Sequence, residues 1–176
     1  PEHPMLMKLT SGENLNRVNQ YLEEVKKKTE MERLHIDKSK TGVDTGGYVV
    51  NPINNEKIPV WVADYVIGWY GTGAVMAVPA HDERDWDFAK KYNLPVKQVV
   101  TSRSDLESGK RSDLDQANKE EGILMNSRGF DGLSSVEARK KIVEKLKEKG
   151  LAEFKKNYKL HDWVLSRQRY WGVPIP

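Results

Sequence analysis

The 176-residue chain has no cysteine. Disulfide staples and cysteine-ligated zinc are excluded, and the absence fits a reducing, cytoplasmic setting. Only four histidines are present. Neither a metal-ligand cluster nor a Ser/His/Asp order emerges among them, so no metal is expected. No stretch approaches the roughly 18 unbroken apolar residues of a membrane span, so no membrane partner is expected. There is no basic-then-apolar opening of the kind a secretory leader has. Internal repeats and low-complexity tracts are also missing. The chain starts at Pro1 without methionine, and we expect a piece cut from a longer polypeptide.

What is present is an ordinary globular balance of 38% hydrophobic and 31% charged residues, in a chain long enough to bury a core. The net charge of +3 conceals an asymmetry. Ser135 to Pro176 carries 11 Lys and Arg against 5 Asp and Glu, while residues 1–134 are mildly acidic. A basic C-terminal segment can face a polyanion such as RNA, and a solvated lysine-rich helix accounts for it equally well.

Periodicity predicts a helix over residues 11–28, with Ser11 as cap and Leu15, Val18, Leu22 and Val25 on one face. "KTGVDTGGYVVNP" leads into a short β-branched run. "NPINNEKIPVWVADYV" reads as strand, turn, strand, with Asn54 and Asn55 suited to the left-handed turn conformation. Ala74 to Val78 is a continuous apolar run of the buried-strand type. A helix is predicted from Glu83 to Tyr92 with Trp86, Ala89 and Tyr92 on one side, followed by a strand at "VKQVV". Polar residues 101–121 read as a mobile excursion, and "GILMNS" as a short strand. The clearest helix is "SSVEARKKIVEKLKEKG". Ser134 or Ser135 caps it, Glu137 completing a capping box with Ser134; Val136, Ile142, Val143 and Leu146 form an apolar stripe, and Gly150 ends it. The mixture implies an α/β (α+β) domain, with strand clusters leaving room for a barrel-like sheet.

Residues 71–85, "GTGAVMAVPAHDERD", concentrate the chemistry. With Asp82 as N-cap, Asp85 falls at the third helical position, and both carboxylates are expected to accept free backbone N–H groups. The plain reading is a well-made helix start. Three neighbours add to it: two carboxylates ionised on one turn suit an ammonium group, Pro79-Ala80 bends the chain before His81, and Gly71 and Gly73 flank Thr72 where backbone can approach a ligand. Gly-Thr-Gly without a lysine is no phosphate loop. The residues alone give a polar pocket at a strand-to-helix junction, able to hold a cation.

The same stretch resembles the signature of the editing domain of bacterial-type leucyl-tRNA synthetases. The likeness extends through "PEHP", "KTGVDTGGYVVNP", "EKIPVWVADYV", "GILMNS", "FDGL" and "DWVLSRQRYWGVPIP", nearly the whole chain. Met76 and the "HDERD" spacing distinguish it from the isoleucyl and valyl branches. The resemblance implies a barrel-like mixed sheet surrounded by helices over residues 1–160, and a return strand toward the class I aminoacylation domain over 161–176. It also implies that a threonine-rich strand of the pocket lies upstream of Pro1, so the severed piece is expected to edit poorly.

The implied activity is hydrolysis of mischarged leucine tRNA carrying norvaline, isoleucine or methionine. No cofactor belongs to this domain, since ATP and Mg2+ serve the parent's aminoacylation domain. By resemblance, Asp85 anchors the substrate's α-ammonium group, with Asp82 beside it and Thr72 in the adjoining turn. Met76 and His81 wall the amino-acid pocket, with Arg84 nearby. Tyr65, Ile67, Tyr70 and Val75, with Gly71 and Gly73, line the terminal adenosine, where aromatic faces can stack on a base. Arg167 and Arg169 contact the tRNA. Two other readings stand beside this one: an inactive tRNA-binding accessory domain, and a structural domain in which Asp-x-x-Asp is only a cap.

Overall fold

The computed structural model describes residues 1–34, 40–69, 71–108 and 115–155. In chain order it contains α1 (Leu6–Leu9), a 3-10 turn (Gly12–Asn14), α2 (Leu15–Lys26), α3 (Glu30–Leu34), β1 (Gly42–Val50) and β2 (Lys57–Ala63). These are followed by α4 (Glu83–Lys91), β3 (Val100–Thr101), α5 (Arg103–Ser108), β4 (Ile123–Leu124) and α6 (Ser135–Glu148). The α+β class is as expected. The expected strand at Ala74–Val78 is not formed: this segment runs unpaired, with Val75 64% and Met76 63% exposed. An apolar run becomes a buried strand only where a neighbour supplies hydrogen bonds and cover, and here neither is present among the described residues. In consequence the described strands form two separate two-stranded antiparallel sheets and no closed barrel.

The β1–β2 ribbon organises the N-terminal half. Its register pairs Asp44 with Trp61 and then Tyr48 with Pro59, so β1 carries extra residues in a bulge. The glycines explain the shape. Gly46 adopts φ 69°, and a Cβ on Gly47 would collide with the Leu9 carbonyl. Thr45, fully buried at the bulge, donates its hydroxyl to Val60 O at 2.7 Å, and its carbonyl accepts Ser11 N–H at 2.8 Å. Ser11 therefore joins this bulge by its backbone and makes no side-chain cap, and a 3-10 turn intervenes before α2. The apolar face of α2 lies as its spacing dictates: Val18, Tyr21 and Val25 pack with Leu6 and Val62. The ribbon's turn closes with Asn55 at φ 58°, its N–H donated to Asn51 O at 2.8 Å.

A second core joins the C-terminal half. Leu124, Phe130 and Ala138 are buried, with Ile53, Val100, Leu133 and Ile142 packed against them. Ser134 caps α6 as expected, its Oγ accepting Glu137 N–H at 3.2 Å, but the reciprocal half of the capping box is not made: the Glu137 carboxylate pairs with Lys141 at 2.7 Å. Its stripe is Ala138, Ile142 and Leu146, whereas Val136 is exposed. Those residues recur every four positions on one helical face, and Val136 falls off it. "VKQVV" contributes only Val100 to a strand. Residues 101–121 are not one polar excursion: α5 occupies Arg103–Ser108, where Ser102 Oγ accepts Asp105 N–H at 3.1 Å. Residues 115–121 include a hydrogen-bonded clasp to the start of α4, described below.

Candidate functional site

Helix α4 begins as its sequence dictates. Asp82 is extended, and its Oδ1 accepts N–H groups from Arg84 at 2.9 Å and Asp85 at 3.2 Å. Asp85 behaves differently from expectation. Its carboxylate takes no N–H of its own helix; Oδ2 accepts Val78 N–H at 2.8 Å and Oδ1 accepts the Tyr65 hydroxyl at 2.8 Å. The reason lies in the preceding bend. Val78 O accepts both His81 N–H at 2.8 Å and Asp82 N–H at 3.0 Å, so the Val78–His81 turn is closed and its leading N–H points at the helix start. Asp85 is only 9% exposed, and two donors use about half of a carboxylate's roughly four acceptor sites. What remains suits a compact cation such as an ammonium group.

Tyr65 comes to this point from the end of β2. Its ring lies 5.7 Å from that of Phe88, one turn beyond Asp85 on α4. Phe88 in turn stands edge-on to Trp61 at 5.6 Å and beside Tyr92 at 4.6 Å. Periodicity had placed Trp86, Ala89 and Tyr92 on the buried side; Trp86 and Ala89 are buried, and Phe88, which it omitted, is the aromatic hub. Burial, then the Asp85 carboxylate it bonds, push the Tyr65 phenol upward from its ordinary value, so it remains a donor.

His81 is half-buried and tied at both nitrogens. Nδ1 donates to Asn118 O at 2.8 Å, and Nε2 accepts Val99 N–H at 3.3 Å, a pair met by the tautomer protonated at Nδ1. Asn118 N–H returns to Ala80 O at 2.9 Å, and Lys119 pairs with Glu83 at 2.8 Å. His81 therefore clasps residues 118–119 and the β3 entry to the helix start.

The remaining sequence candidates spread over a neighbouring open surface. Gly71 and Gly73 take φ 63° and 75°, and a Cβ on Gly73 would come 2.9 Å from Gly68 O. Thr72 is exposed, its hydroxyl donating to Ala74 O at 3.3 Å within the turn. Val75, Met76 and Arg84 are exposed and Ile67 is half-buried. Tyr70, Arg167 and Arg169 lie outside the described residues, as does the segment 161–176. The site is thus a buried carboxylate clamp bordered by an open loop. Among the described residues no three acidic or histidine side chains converge as a metal site requires. No described helix is long and apolar enough to cross a membrane.

What the sequence missed is a hub one residue before Tyr65. Asp64 Oδ1 accepts Thr41 N–H at 3.0 Å, and its Oδ2 accepts Thr41 Oγ1–H at 2.8 Å and Lys28 Nζ at 2.7 Å. Arg33 spans the same turn, donating Nε to Asp64 O at 2.6 Å and Nη2 to Val66 O at 2.8 Å. A buried Asp adjoining the candidate Tyr was a signal in principle, but its partners stand 23 and 36 residues away.

Residues 1–147 match the family described as leucyl-tRNA synthetase, editing domain. The leucine–tRNA ligase of Clostridium perfringens strain 13 is 51% identical over 176 residues, covering 100% of this chain and 21% of that protein. That of Caldanaerobacter subterraneus subsp. tengcongensis is 52% identical over 176 residues, with 100% and 21% covered. That of Borrelia duttonii strain Ly is 48% identical over 177 residues, with 100% and 20% covered. The chain thus spans about a fifth of the length of these relatives. Among solved structures, the crystal structure of the ternary complex of Agrobacterium radiobacter K84 agnB2 LeuRS-tRNA-LeuAMS is similar, with TM-score 0.60 and 33% identity. The match covers 85% of this chain and 14% of that one.

Proposed function

The chain belongs to the leucyl-tRNA synthetase editing-domain family, and from that premise we propose that it deacylates mischarged leucine tRNA as part of a longer, cytoplasmic leucine–tRNA ligase. The substrates are esters of small apolar competitors such as norvaline, isoleucine and methionine on the terminal adenosine. The need is physical: one methylene changes discrimination by only about 1–3 kcal/mol, so a second site must remove what a synthetic site admits. The observation that carries the proposal is the Asp85 carboxylate, buried, doubly held and still able to accept an ammonium group.

In the reaction a water oxygen adds to the ester carbonyl, the bond from acyl carbon to ribose oxygen breaks, and the ribose oxygen gains a proton. Free amino acid and intact tRNA leave. This chain's part is orientation and electrostatic stabilisation: Asp85 fixes the ammonium end, and Asp82 sets the start of the helix that carries it. The Gly71-Thr72-Gly73 turn, Val75 and Met76 border the acyl and adenosine groups, with Ile67 and Tyr70 on the adenosine side. The exposure of Thr72, Val75 and Met76 favours a pocket whose opposite wall comes from elsewhere in the parent, and a strand laid along residues 74–78 would complete the barrel-like sheet. Arg167 and Arg169 would meet the tRNA, and the segment 161–176 would lead back to the aminoacylation domain, which alone uses ATP and Mg2+.

The test is Asp85→Ala in the full parent enzyme. Hydrolysis of norvalyl-tRNA(Leu) should fall at least about a hundredfold, the scale of losing a charge-assisted anchor, with leucylation unchanged. Retained deacylation would refute the assignment. Salt-sensitive tRNA binding without any ester hydrolysis by the parent would favour the accessory-domain reading.

A further inference from the structure

Tyr65 was expected to offer its ring to the terminal adenosine. Its contacts point inward instead. The hydroxyl is spent on Asp85 Oδ1 at 2.8 Å and the ring sits against Phe88, so Tyr65 grips α4 at two points three residues apart. The backbone on each side of it is pinned. Arg33 binds the carbonyls of Asp64 and Val66, and it also pairs with Glu2 at 2.6 Å, tying the turn to the N-terminal segment. Asp64 is itself locked onto Thr41 and Lys28. A side chain held this firmly leaves little freedom to the group it bonds.

We infer that Tyr65 is a positioning residue for Asp85: its hydroxyl, opposite the Val78 N–H, fixes the plane of the carboxylate so that the remaining acceptor sites face the substrate's α-ammonium group. This rests on the assignment of Asp85 as ammonium anchor and adds a residue to it. The Val78 N–H restrains Oδ2 from the loop side and Tyr65 restrains Oδ1 from the β2 side. Without the phenol, the carboxylate keeps one tether and turns about it. Among the described residues the hydroxyl has no other partner, and burial with the adjoining carboxylate keeps it protonated.

The experiment compares Tyr65→Phe with wild type in the full parent enzyme, using two probes: norvalyl-tRNA(Leu) and the same tRNA esterified with 2-hydroxypentanoate, which has no ammonium group. KM for the norvalyl ester should rise about tenfold with kcat within about threefold, the pattern of a lost anchoring interaction. Hydrolysis of the hydroxyacyl ester should stay within about twofold of wild type. Equal losses on both esters would mean that Tyr65 merely supports the fold, and no loss on either would mean that Asp85 holds itself; both overturn the inference. Asp85→Ala run alongside separates the two ideas. If it loses norvalyl hydrolysis while Tyr65→Phe does not, the anchor stands and the positioning role falls. If it retains hydrolysis, both fall together.

Discussion

Asp82 poses the sharpest question at this site, because its carboxylate serves two descriptions at once. In the structure it is a helix cap: Oδ1 accepts Arg84 N–H at 2.9 Å and Asp85 N–H at 3.2 Å. Asp82→Ala removes both bonds and should cost about 1 kcal/mol, the usual penalty for losing such a cap. For a domain of this size that is a melting-temperature drop of about 2–4 °C. Asp82→Asn keeps an oxygen in the same place, so stability should return to within a few tenths of a kcal/mol. Deacylation should follow the cap and not the charge. The Asn variant should stay within about threefold of wild type, while the Ala variant falls further because the turn carrying Asp85 is loosened. Thermal unfolding by circular dichroism on this chain, paired with norvalyl-tRNA hydrolysis by the parent, measures both quantities. An Asn variant as thermally stable as wild type but as poor in editing as the Ala variant would refute the reasoning. It would mean that the charge of Asp82 itself meets the substrate.

Two further perturbations probe the scaffold behind the site. Burial alone would raise the Asp64 carboxyl, but hydrogen bonds from Lys28 and Thr41 outweigh it and hold it below its ordinary value. A depressed folded-state value stabilises fully above the unfolded value near pH ~4 and is lost as pH falls through the lower folded one. Asp64→Asn should therefore cost about 2 kcal/mol at pH 7, from the Oδ2 bonds to Lys28 Nζ and the Thr41 hydroxyl, because an amide nitrogen accepts neither; partial exposure of Lys28 screens its share. In denaturant titrations the gap between variant and wild type should narrow below pH ~4; a gap that persists unchanged into acid would contradict this account. Gly47→Ala drives a Cβ into the Leu9 carbonyl and should destabilise by about 2 kcal/mol or more. Gly12→Ala, where a Cβ meets nothing within 4 Å, should be nearly neutral in the same melting assay, and equal losses at both positions would overturn the bulge explanation.

Local signals in the sequence were read well where their cause was local. The Asp82 cap, the Ser134 cap and the apolar face of α2 each depend on residues within a few positions of one another, and each appears where spacing placed it. The failures share a different cause. Ala74–Val78 has the composition of a buried strand, yet burial is a property of what lies alongside, and nothing in five residues specifies that neighbour. The short β-branched run is expected only after the glycines of "KTGVDTGG", yet those glycines belong to β1, whose bulge requires them. The apolar stripe expected for α6 includes Val136, whereas the residue buried with Leu124 and Phe130 is the small Ala138.

The candidate site divides along the same line. That Asp82 and Asp85 begin a helix was visible from their spacing; which donors hold Asp85 was not. Its partners come from 7 and 20 residues back along the chain, and His81 reaches Asn118 at 37 residues' separation. On the proposed assignment of Asp85, this arrangement also bears on catalysis. A carboxylate solvated by water must shed and reorder that water to meet an ammonium group, whereas Asp85 has one position on each oxygen already held by a fixed donor. Fixing those donors falls to distant parts of the fold: Arg33 and Asp64 hold Tyr65, and the closed Val78–His81 turn aims the Val78 N–H. A cap and a binding group therefore do not compete as explanations of "HDERD". Asp82 orders the turn, the turn delivers Asp85 to its two donors, and the donors leave the carboxylate oriented before any substrate arrives.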